Sequence, residues 1–256
     1  MSDEAGSLAL VIGGGSGIGA ALADAYRTQG ATTVTWDIAG SRDVTCDVTE
    51  PDAIDAAVGV TRERWGVPTS VTVTAGIGHS GLLTEAGPAA FDRVMAVNAR
   101  GPWLCMRAWV AAMREERAIG SFVAVSSVSA RLVDRSMGLY CASKAALSML
   151  VQVAAAEWGE FGIRVNALAP GVTRTPMLGR GPSVTVEGSP WLAGVAERTA
   201  LGRLGEASDI AQAIIALHTM EWVTGQVLEC DGGLSLHSPA DPYGAMVRTR
   251  PPADRR

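Results

Sequence analysis

Short runs of apolar and β-branched residues alternate along this chain with longer segments whose apolar residues recur at helical spacing. The runs are typical of buried strands, and several of the segments between them end at glycine, as helices do. Alternating strands and helices predict right-handed βαβ crossovers and a parallel sheet covered on both faces. The predicted strands span residues 7–13, 32–37, 70–76, 121–127, 163–171 and 225–233, and the predicted helices residues 17–30, 51–66, 91–117 and 139–162.

Length and composition agree with one domain of this α/β class. The chain has 256 residues, of which 48% are hydrophobic and 18% charged, so it can bury a sizeable core. We predict one doubly wound domain over residues 1–256, with a mostly parallel seven-stranded sheet. Residues 172–202 are rich in Gly, Pro, Ser and Thr and predict a functional loop. The tail, residues 237–256, predicts disorder, with Tyr243, Met246 and Val247 as candidate anchors.

Charge and cysteine usage exclude several classes of function. The net charge is −5, the opposite of the imbalance that a nucleic-acid reader carries. Four dispersed cysteines and three dispersed histidines suggest neither a disulfide framework nor a metal site, and favour a reducing compartment. The acidic start MSDEAGS is unlike a signal peptide, and no stretch is expected to reach membrane-spanning length. We expect a cytoplasmic protein that binds neither nucleic acid nor membrane.

A glycine-rich turn follows the first predicted strand and opens the first predicted helix. Glycines let the backbone approach a pyrophosphate, which the free N–H groups and the dipole of the helix N-terminus attract. A glycine cluster alone is a weak signal, but its position at the first βα turn predicts dinucleotide binding rather than a generic turn. The residues predicted to contact the phosphates are Gly13, Gly15, Ser16, Gly17, Ile18 and Gly19.

Asp37 ends the second predicted strand, where an acid accepts hydrogen bonds from the adenosine ribose hydroxyls and repels a 2′-phosphate. The turn also has Ser16 where a basic residue would hold that phosphate. NAD is therefore predicted rather than NADP, although Arg42 lies nearby. A seventh predicted strand, short and third in chain order, lies just before residues 46–48. Asp47 and Val48 follow it and are candidates to hold the adenine edge; alternatively, Asp47 caps the next helix.

Tyr140 and Lys144 lie four residues apart in a helical segment, so both side chains emerge on one face. Lys144 is the single lysine among 21 basic residues. An ammonium beside a phenol favours the phenolate, which general-base work near neutral pH requires. A compact ammonium also places its donors on a sugar hydroxyl pair and the phenol together, which the planar guanidinium of arginine does not.

Ser127 ends the fifth predicted strand thirteen residues before Tyr140. A hydroxyl there is placed to polarise a substrate carbonyl or to hold its alcohol. Each of these residues is a weak signal alone, since Ser126, Ser127 or Ser129 can equally cap a turn and a helical tyrosine often packs in the core.

Together these motifs resemble the short-chain dehydrogenase/reductase family, in its subgroup of roughly 250 residues. The resemblance runs from about Ser7 to Ser235, and its order of motifs is very specific. The matching stretches are GGGSGIG (13–19), CDV (46–48), AG (75–76), VNARG (97–101), SS (126–127), YCASK (140–144), RVNALAPGVTRTPM (164–177), GRLGEASDIA (202–211) and VTGQVLECDGG (223–233).

The resemblance implies a Rossmann-type fold and hydride transfer between a nicotinamide and a substrate alcohol or ketone. It implies that Ser127, Tyr140 and Lys144 are catalytic and that Asn98 completes a tetrad, its backbone holding a water linked to Lys144. It also implies that the helix carrying Trp103, Met106 and Trp109 packs against a symmetry mate in a homotetramer or dimer. The further cofactor contacts that follow are Ala75, Gly76, Pro170, Gly171, Val172, Thr173 and Thr175, besides Asn98, Tyr140 and Lys144.

Three departures from the family pattern stand out. The family's Thr before the turn is Ile12, and its NNAG motif reads VTAG (73–76), which loses two asparagines that knit the central strands or meet the cofactor. Only ten residues separate Asp37 from Asp47, so a helix common at this place must be missing. Dihydrodiol-type dehydrogenases of the family share this shortening.

The leading hypothesis is an NAD-dependent oxidoreductase for a secondary alcohol, cyclic or dihydrodiol, and its ketone. The alternatives are an NADP-dependent 3-oxoacyl thioester reductase and a non-catalytic NAD-binding regulator; enoyl reductases of the family separate their Tyr and Lys more widely. The substrate pocket is expected in residues 77–84, 128–137 and 174–200, where the sequence pattern is least recognisable. Its candidate lining residues are His79, Arg131, Asp134, Met137, Arg174, Met177 and Trp191.

Overall fold

A computed structural model describes residues 8–178 and 189–236. Seven strands form one sheet in the order β3-β2-β1-β4-β5-β6-β9, and every neighbouring pair in it is parallel. The predicted doubly wound α/β fold is therefore confirmed. The strands of this sheet are β1 (Leu8–Ile12), β2 (Thr32–Asp37), β3 (Val44–Thr45), β4 (Ser70–Val73), β5 (Gly120–Val125), β6 (Ile163–Pro170) and β9 (Val227–Cys230).

Helices cover both faces of the sheet, as the apolar strands predicted. Alternate residues of β1 show the division: Leu10 lies in the core shared with α2, α4 and α5, and Val11 in the core shared with α1 and α7. Both side chains are fully buried, as the central strand of a parallel sheet requires. The helices are α1 (Gly17–Thr28), α2 (Pro51–Trp65), α3 (Pro88–Met95), α4 (Gly101–Glu115), α5 (Gly138–Trp158), α6 (Pro190–Arg198) and α7 (Ala207–Thr219).

The single helix predicted over residues 91–117 is in fact α3 and α4 joined by a π-helical turn, Ala96–Arg100. The N–H of Gly101 donates to the carbonyl of Ala96, five residues back. Pro102 has no N–H and cannot make the α-helical bond to the Asn98 carbonyl. Such π turns inside helices are common at functional sites, and this one carries Asn98.

Two other segments differ from the sequence expectation. The long loop expected over residues 172–202 contains a short strand, β7 (Thr173–Arg174), and helix α6; β7 pairs with β8 (Gly205–Glu206) apart from the main sheet. Residues 179–188 of this segment lie outside the described residues, as does the tail 237–256 with its candidate anchors. Helix α7 was not among the predicted helices, although its buried residues Ile210, Ala211, Ile214 and Leu217 recur at helical spacing.

The prediction that no helix lies between β2 and β3 is confirmed, since residues 38–43 join the two strands directly. The expectation about membrane-spanning length was wrong for one segment. Helical residues Gly138–Phe161 have a mean hydropathy of 1.4, long and apolar enough to cross a membrane by composition alone. This segment is a core helix, because its residues Leu147, Val151 and Ala154 are buried against the sheet.

Candidate active site

The glycine turn lies at the carboxyl end of β1, where the sheet leads into α1. Gly13 has a φ of +89°, and a Cβ at that residue would lie 2.5 Å from the backbone nitrogen of Ala75. No side chain caps α1, and its first turn holds no acidic residue. The N–H groups of this helix N-terminus are therefore available to an anion, as the motif predicted.

Asp37 ends β2 beside this turn. One oxygen of its carboxylate accepts the N–H of Gly15 at 2.8 Å, and the other accepts the N–H of Ile38 at 2.7 Å. The carboxylate is thus fixed at the edge of the turn. Arg42 is held on the next loop, where its guanidinium donates to the carbonyl of Gly40 and to Thr45.

Asp47 and Val48 follow β3 at the same edge of the sheet. The carboxylate of Asp47 accepts both the N–H and the hydroxyl of Thr49, at 2.9 and 2.8 Å. Helix α2 begins with Glu50 at its N-cap, so the alternative in which Asp47 caps this helix was wrong. Val48 is buried and contacts Gly101, the first residue of α4.

The altered VTAG motif keeps its connection to the glycine turn through a different residue. The hydroxyl of Thr74 donates to the carbonyls of Ile12 and Gly13, at 3.0 and 2.9 Å. The backbone N–H of Thr74 also donates to Ile12, at 2.7 Å. Val73 and Ile12 are buried core residues. Thr74 therefore joins β4 to the turn in the place of the absent asparagines.

Tyr140 and Lys144 lie on the first turns of α5 and point to the same side. Lys144 is 3% exposed, and its ammonium donates to the carbonyl of Val125, the last residue of β5, at 2.8 Å. The ammonium lies 5.8 Å from the centroid of the Tyr140 ring. Gly76 leaves room beside it, since a Cβ there would lie 3.4 Å from the Lys144 nitrogen.

The electrostatics of this pair differ from the sequence expectation. Burial raises the pKa of the Tyr140 phenol, and a hydrogen bond with Ser127 lowers it in part. Burial also lowers the pKa of Lys144 to about 8. The predicted depression of the phenol pKa by Lys144 is not found, because desolvation penalises both charged forms.

Ser127 follows β5 and is nearly buried at the N-cap of a 3-10 turn, Val128–Ala130. Its oxygen accepts the N–H of Ser129 at 3.1 Å, so its hydroxyl both caps the turn and contacts Tyr140. The neighbouring Ser126 is structural: it donates to the carbonyl of Lys144 and pairs with Ser148.

Asn98 connects the π turn to the loop after β4 and to α5. Its side chain accepts the N–H of Ile77 at 2.8 Å and donates to the carbonyl of Ile77 at 2.9 Å. It also donates to the hydroxyl of Ser143, which donates in turn to the carbonyl of Tyr140. Ser143 and Ile77 were missed by sequence reasoning, although Ser143 stands inside the YCASK motif.

Residues 170–175 cross the carboxyl end of the sheet opposite the glycine turn. Pro170 ends β6, and the N–H of Gly171 donates to the carbonyl of Cys230. A Cβ on Gly171 would lie 2.8 Å from the Asp231 side chain, so the strand exit needs glycine. The hydroxyl of Thr173 donates back to Gly171, Val172 lies between them, and Thr175 approaches Gly17.

Several candidate pocket residues are paired with partners. Arg131 forms an ion pair with Glu229, and Arg174 one with Glu206. Met177 lies near Gly78 on the loop that carries His79. Trp191 is half exposed on α6, and His237 lies outside the described residues.

Within the described residues no group of three or more His, Cys, Asp or Glu side chains fits a metal ion.

Comparison with known proteins decides the family. A family model described as "Enoyl-(Acyl carrier protein) reductase" matches residues 13–235, most of the chain. This chain belongs to the short-chain dehydrogenase/reductase family. The resemblance seen in the motifs is therefore confirmed. The protein is an oxidoreductase of this family, whose members use a nicotinamide cofactor.

Two relatives and one solved structure illustrate the match. The chain is 35% identical to a 2,5-dichloro-2,5-cyclohexadiene-1,4-diol dehydrogenase of Sphingobium indicum, with 92% of this chain and 99% of the relative covered. It is 34% identical to a galactitol 2-dehydrogenase (L-tagatose-forming) of Cereibacter sphaeroides, with 90% and 96% covered. The Thermoplasma acidophilum aldohexose dehydrogenase structure aligns with a TM-score of 0.86 at 26% identity, over 93% of this chain and 97% of that one.

The residues of this dehydrogenase-like site fit a nicotinamide dinucleotide. The uncapped N-terminus of α1 offers N–H groups to a pyrophosphate. Asp37 is anchored by Gly15 at the place where the fold's ribose-binding acid lies. Gly76 brings the backbone after β4 close to Lys144, since a Cβ there would lie 3.4 Å from the Lys144 nitrogen.

Proposed function

We propose that this protein is an NAD-dependent dehydrogenase that interconverts a secondary alcohol, cyclic or dihydrodiol, and its ketone. One observation carries the proposal. The fold brings Tyr140, Lys144 and Ser127 together where β5 ends and α5 begins, on the same edge of the sheet as the glycine turn. These groups are the acid/base and hydroxyl set that hydride transfer to or from a carbonyl carbon requires.

Tyr140 is the proposed general acid and base. In reduction its phenol donates a proton to the substrate oxygen, and in oxidation its phenolate accepts the hydroxyl proton. Ser127 holds the substrate oxygen beside the phenol. Lys144, whose buried ammonium lies 5.8 Å from the centroid of the Tyr140 ring, is the proposed donor to the cofactor ribose. Asn98 fixes this arrangement through Ile77 and Ser143.

A bound nicotinamide cofactor would accept the hydride from the substrate carbon in oxidation and supply it in reduction. The proposed contacts of its phosphates are the glycine turn, those of its adenine Asp47 and Val48, and those of its carboxamide residues 170–175. NAD rather than NADP is proposed, because the fixed carboxylate of Asp37 would lie against a 2′-phosphate and repel it.

The substrate class rests on two further observations. Relatives named as dehydrogenases of a cyclohexadienediol and of galactitol, a polyol, align along nearly their whole length with this chain. The direct β2–β3 connection matches the shortening that the resemblance associated with dihydrodiol-type enzymes. Three intervening residues between Tyr140 and Lys144 count against enoyl reduction, despite the description of the family model.

A homotetramer or dimer in the cytoplasm is also proposed. Met106 and Trp109 are fully buried in the core, but Trp103 is 37% exposed on the same helix. It lines an open groove of about 880 Å³ between the α3–α4 segment and α5, with Met95, Met149, Leu150 and Val153. A second copy presenting the same helices would cover this apolar groove.

The test is the absorbance of the reduced cofactor when the protein meets cyclic alcohols, dihydrodiols, polyols and their ketones, with NAD and NADP in parallel. Turnover of a cyclic or dihydrodiol substrate with NAD supports the proposal. Activity on 3-oxoacyl thioesters with NADPH alone would replace it with the reductase alternative. Cofactor binding without any turnover would favour a non-catalytic role.

A further inference from the structure

Hydrogen bonds fix the segment between Ser127 and Tyr140, although nearly all of it is irregular. The hydroxyl of Ser129 donates to the carboxylate of Asp134 at 2.6 Å. The carbonyl of Asp134 accepts the N–H of Met137, and the carbonyl of Ser136 accepts the N–H of Gly81. Ser136 has a φ of +69°, a conformation that costs energy for a residue with a side chain. The segment is thus held in one shape directly before the helix of Tyr140.

Ser129 makes two contacts that act on the reacting groups. Its backbone N–H donates to the oxygen of Ser127, while its side chain is held by Asp134. A serine hydroxyl has one proton and two lone pairs. Because the N–H of Ser129 occupies one lone pair, the Ser127 proton is directed away from Ser129 and toward Tyr140.

Asp134 also acts on Tyr140 through its charge. Burial is the main cause of the raised pKa of the Tyr140 phenol, and the negative charge of the exposed Asp134 carboxylate raises it further. The other ionisable groups that interact with Tyr140 are Lys144 and Cys141 on α5, and the loops expected to form the pocket carry His79, Arg131, Arg135 and Arg174. Arg131 and Arg174 are paired with Glu229 and Glu206, which reduces their effect. Asp134 is the only carboxylate among the described residues whose charge acts on Tyr140 in this way.

We propose that Ser129 and Asp134 are positioning residues for the acid/base pair. Ser129 holds the Ser127 hydroxyl beside Tyr140, and Asp134 holds Ser129 by accepting its hydroxyl proton and carries a negative charge on the same segment. This inference rests on the proposed function, in which Tyr140 exchanges a proton with the substrate. The inference also concerns the direction of the reaction. Ser129 and Asp134 favour ketone reduction near neutral pH and shift alcohol oxidation to more alkaline pH.

The charge is tested with Asp134→Asn, which keeps an oxygen to accept the Ser129 hydroxyl. The measurement is the pH profile of kcat/KM for alcohol oxidation at low salt. We expect its acid limb to move about half a unit to lower pH, because a like charge beside the phenolate is gone. This shift between the wild type and Asp134→Asn should be smaller in 0.5 M salt, which screens an exposed carboxylate. Asp55→Asn, on the exposed face of α2, is the matched control and should leave the profile unchanged.

The positioning is tested with Ser129→Ala and Ser129→Thr. We expect the alanine variant to lose kcat by about tenfold with KM within about twofold, because only the orientation of a group in the transition state suffers. The threonine variant retains the hydroxyl and should recover most of the activity. Equal activity of the wild type and Ser129→Ala would overturn this part of the proposal, as would an unchanged acid limb for Asp134→Asn.

A second readout separates failure of this inference from failure of the proposed function. Phenolate absorbance near 295 nm, taken as wild type minus Tyr140→Phe, isolates Tyr140 from the chain's two other tyrosines without any substrate. We expect its titration midpoint to fall in the Asp134→Asn background. A lower midpoint in a protein that oxidises no alcohol would reject the function and keep the inference. An unchanged midpoint would reject the inference.

Discussion

The carboxylate of Asp37 accepts the backbone N–H of Gly15 at 2.8 Å, which joins the end of β2 to the glycine turn after β1. A side chain on Gly15 would collide with this arrangement, since its Cβ would lie 2.9 Å from the carboxyl carbon of Asp37. The acid and the phosphate turn are therefore one unit. Any ligand held by the turn meets a negative charge in a fixed place.

Asp37→Asn tests the cofactor preference that follows. The amide keeps an oxygen for the Gly15 N–H but removes the charge that repels a 2′-phosphate. We expect the ratio of kcat/KM for NADP over NAD to rise by at least about tenfold, the equivalent of about 1.4 kcal/mol. Asp47→Asn is the comparison, because this acid contacts Thr49 and should not change the ratio. A wild type that already prefers NADP would contradict the assignment.

Lys144→Met separates function from stability. Burial lowers the pKa of Lys144 from 10.5 to about 8, so its ammonium destabilises the fold. This penalty is complete below pH 8 and disappears as the pH rises through 10.5. After the lost hydrogen bond to Val125 is subtracted, we expect the variant to be about 2 kcal/mol more stable at pH 7 and nearly inactive. Urea unfolding at pH 7 and pH 10 measures the difference in the free energy of unfolding between the variant and the wild type. This difference should be smaller at the higher pH.

His218 makes the fold sensitive to acid. It is buried on α7, and its Nε2 shares a hydrogen bond with the hydroxyl of Thr72 at 2.9 Å. Burial lowers its pKa from 6.5 to about 3, so its contribution to stability is complete above pH 6.5 and is lost as the pH falls toward 3. We expect a loss of about 2 kcal/mol between pH 8 and pH 5 from this group alone. His218→Gln should lose less over the same interval; equal losses would contradict the assignment.

Met149→Glu tests the apolar groove as a contact between copies. Met149 is 59% exposed there, and a buried carboxylate would cost several kcal/mol in a dimer interface. We expect light scattering to show a smaller species than the wild type. Ile119→Glu adds the same charge at a 70% exposed position outside the groove and should not change the mass. A monomeric wild type would contradict the assembly.

The sequence predicted the elements that strong local patterns encode. β2 begins and ends at the predicted residues, and the motifs at the ends of β1, β5 and β6 lie on one edge of the sheet, because parallel strands require it. Helix α7 was missed although its buried residues Ile210, Ile214 and Leu217 follow the helical period. The π turn before Pro102 escaped because apolar spacing continues through it and does not distinguish it from an uninterrupted helix.

The candidate site was predictable in its residue types but not in its charges. Spacing placed Tyr140 and Lys144 on one helix face, but the raised phenol pKa depends on burial by the whole fold. The Ser129–Asp134 contact joins residues five apart in an irregular segment, where no periodicity exists. Thr74 likewise replaces the absent asparagines by donating hydrogen bonds to the carbonyls of Ile12 and Gly13, which only the fold shows.

Tyr140→Phe is the most direct test of the central claim. It removes one oxygen from a partly buried side chain and leaves the glycine turn, Asp37 and Lys144 in place. We predict that turnover of the best alcohol found with NAD falls by at least about 1000-fold, as loss of a general acid/base does, while NADH binding followed by fluorescence stays within about threefold. Turnover within tenfold of the wild type would contradict Tyr140 as the proton-transferring residue.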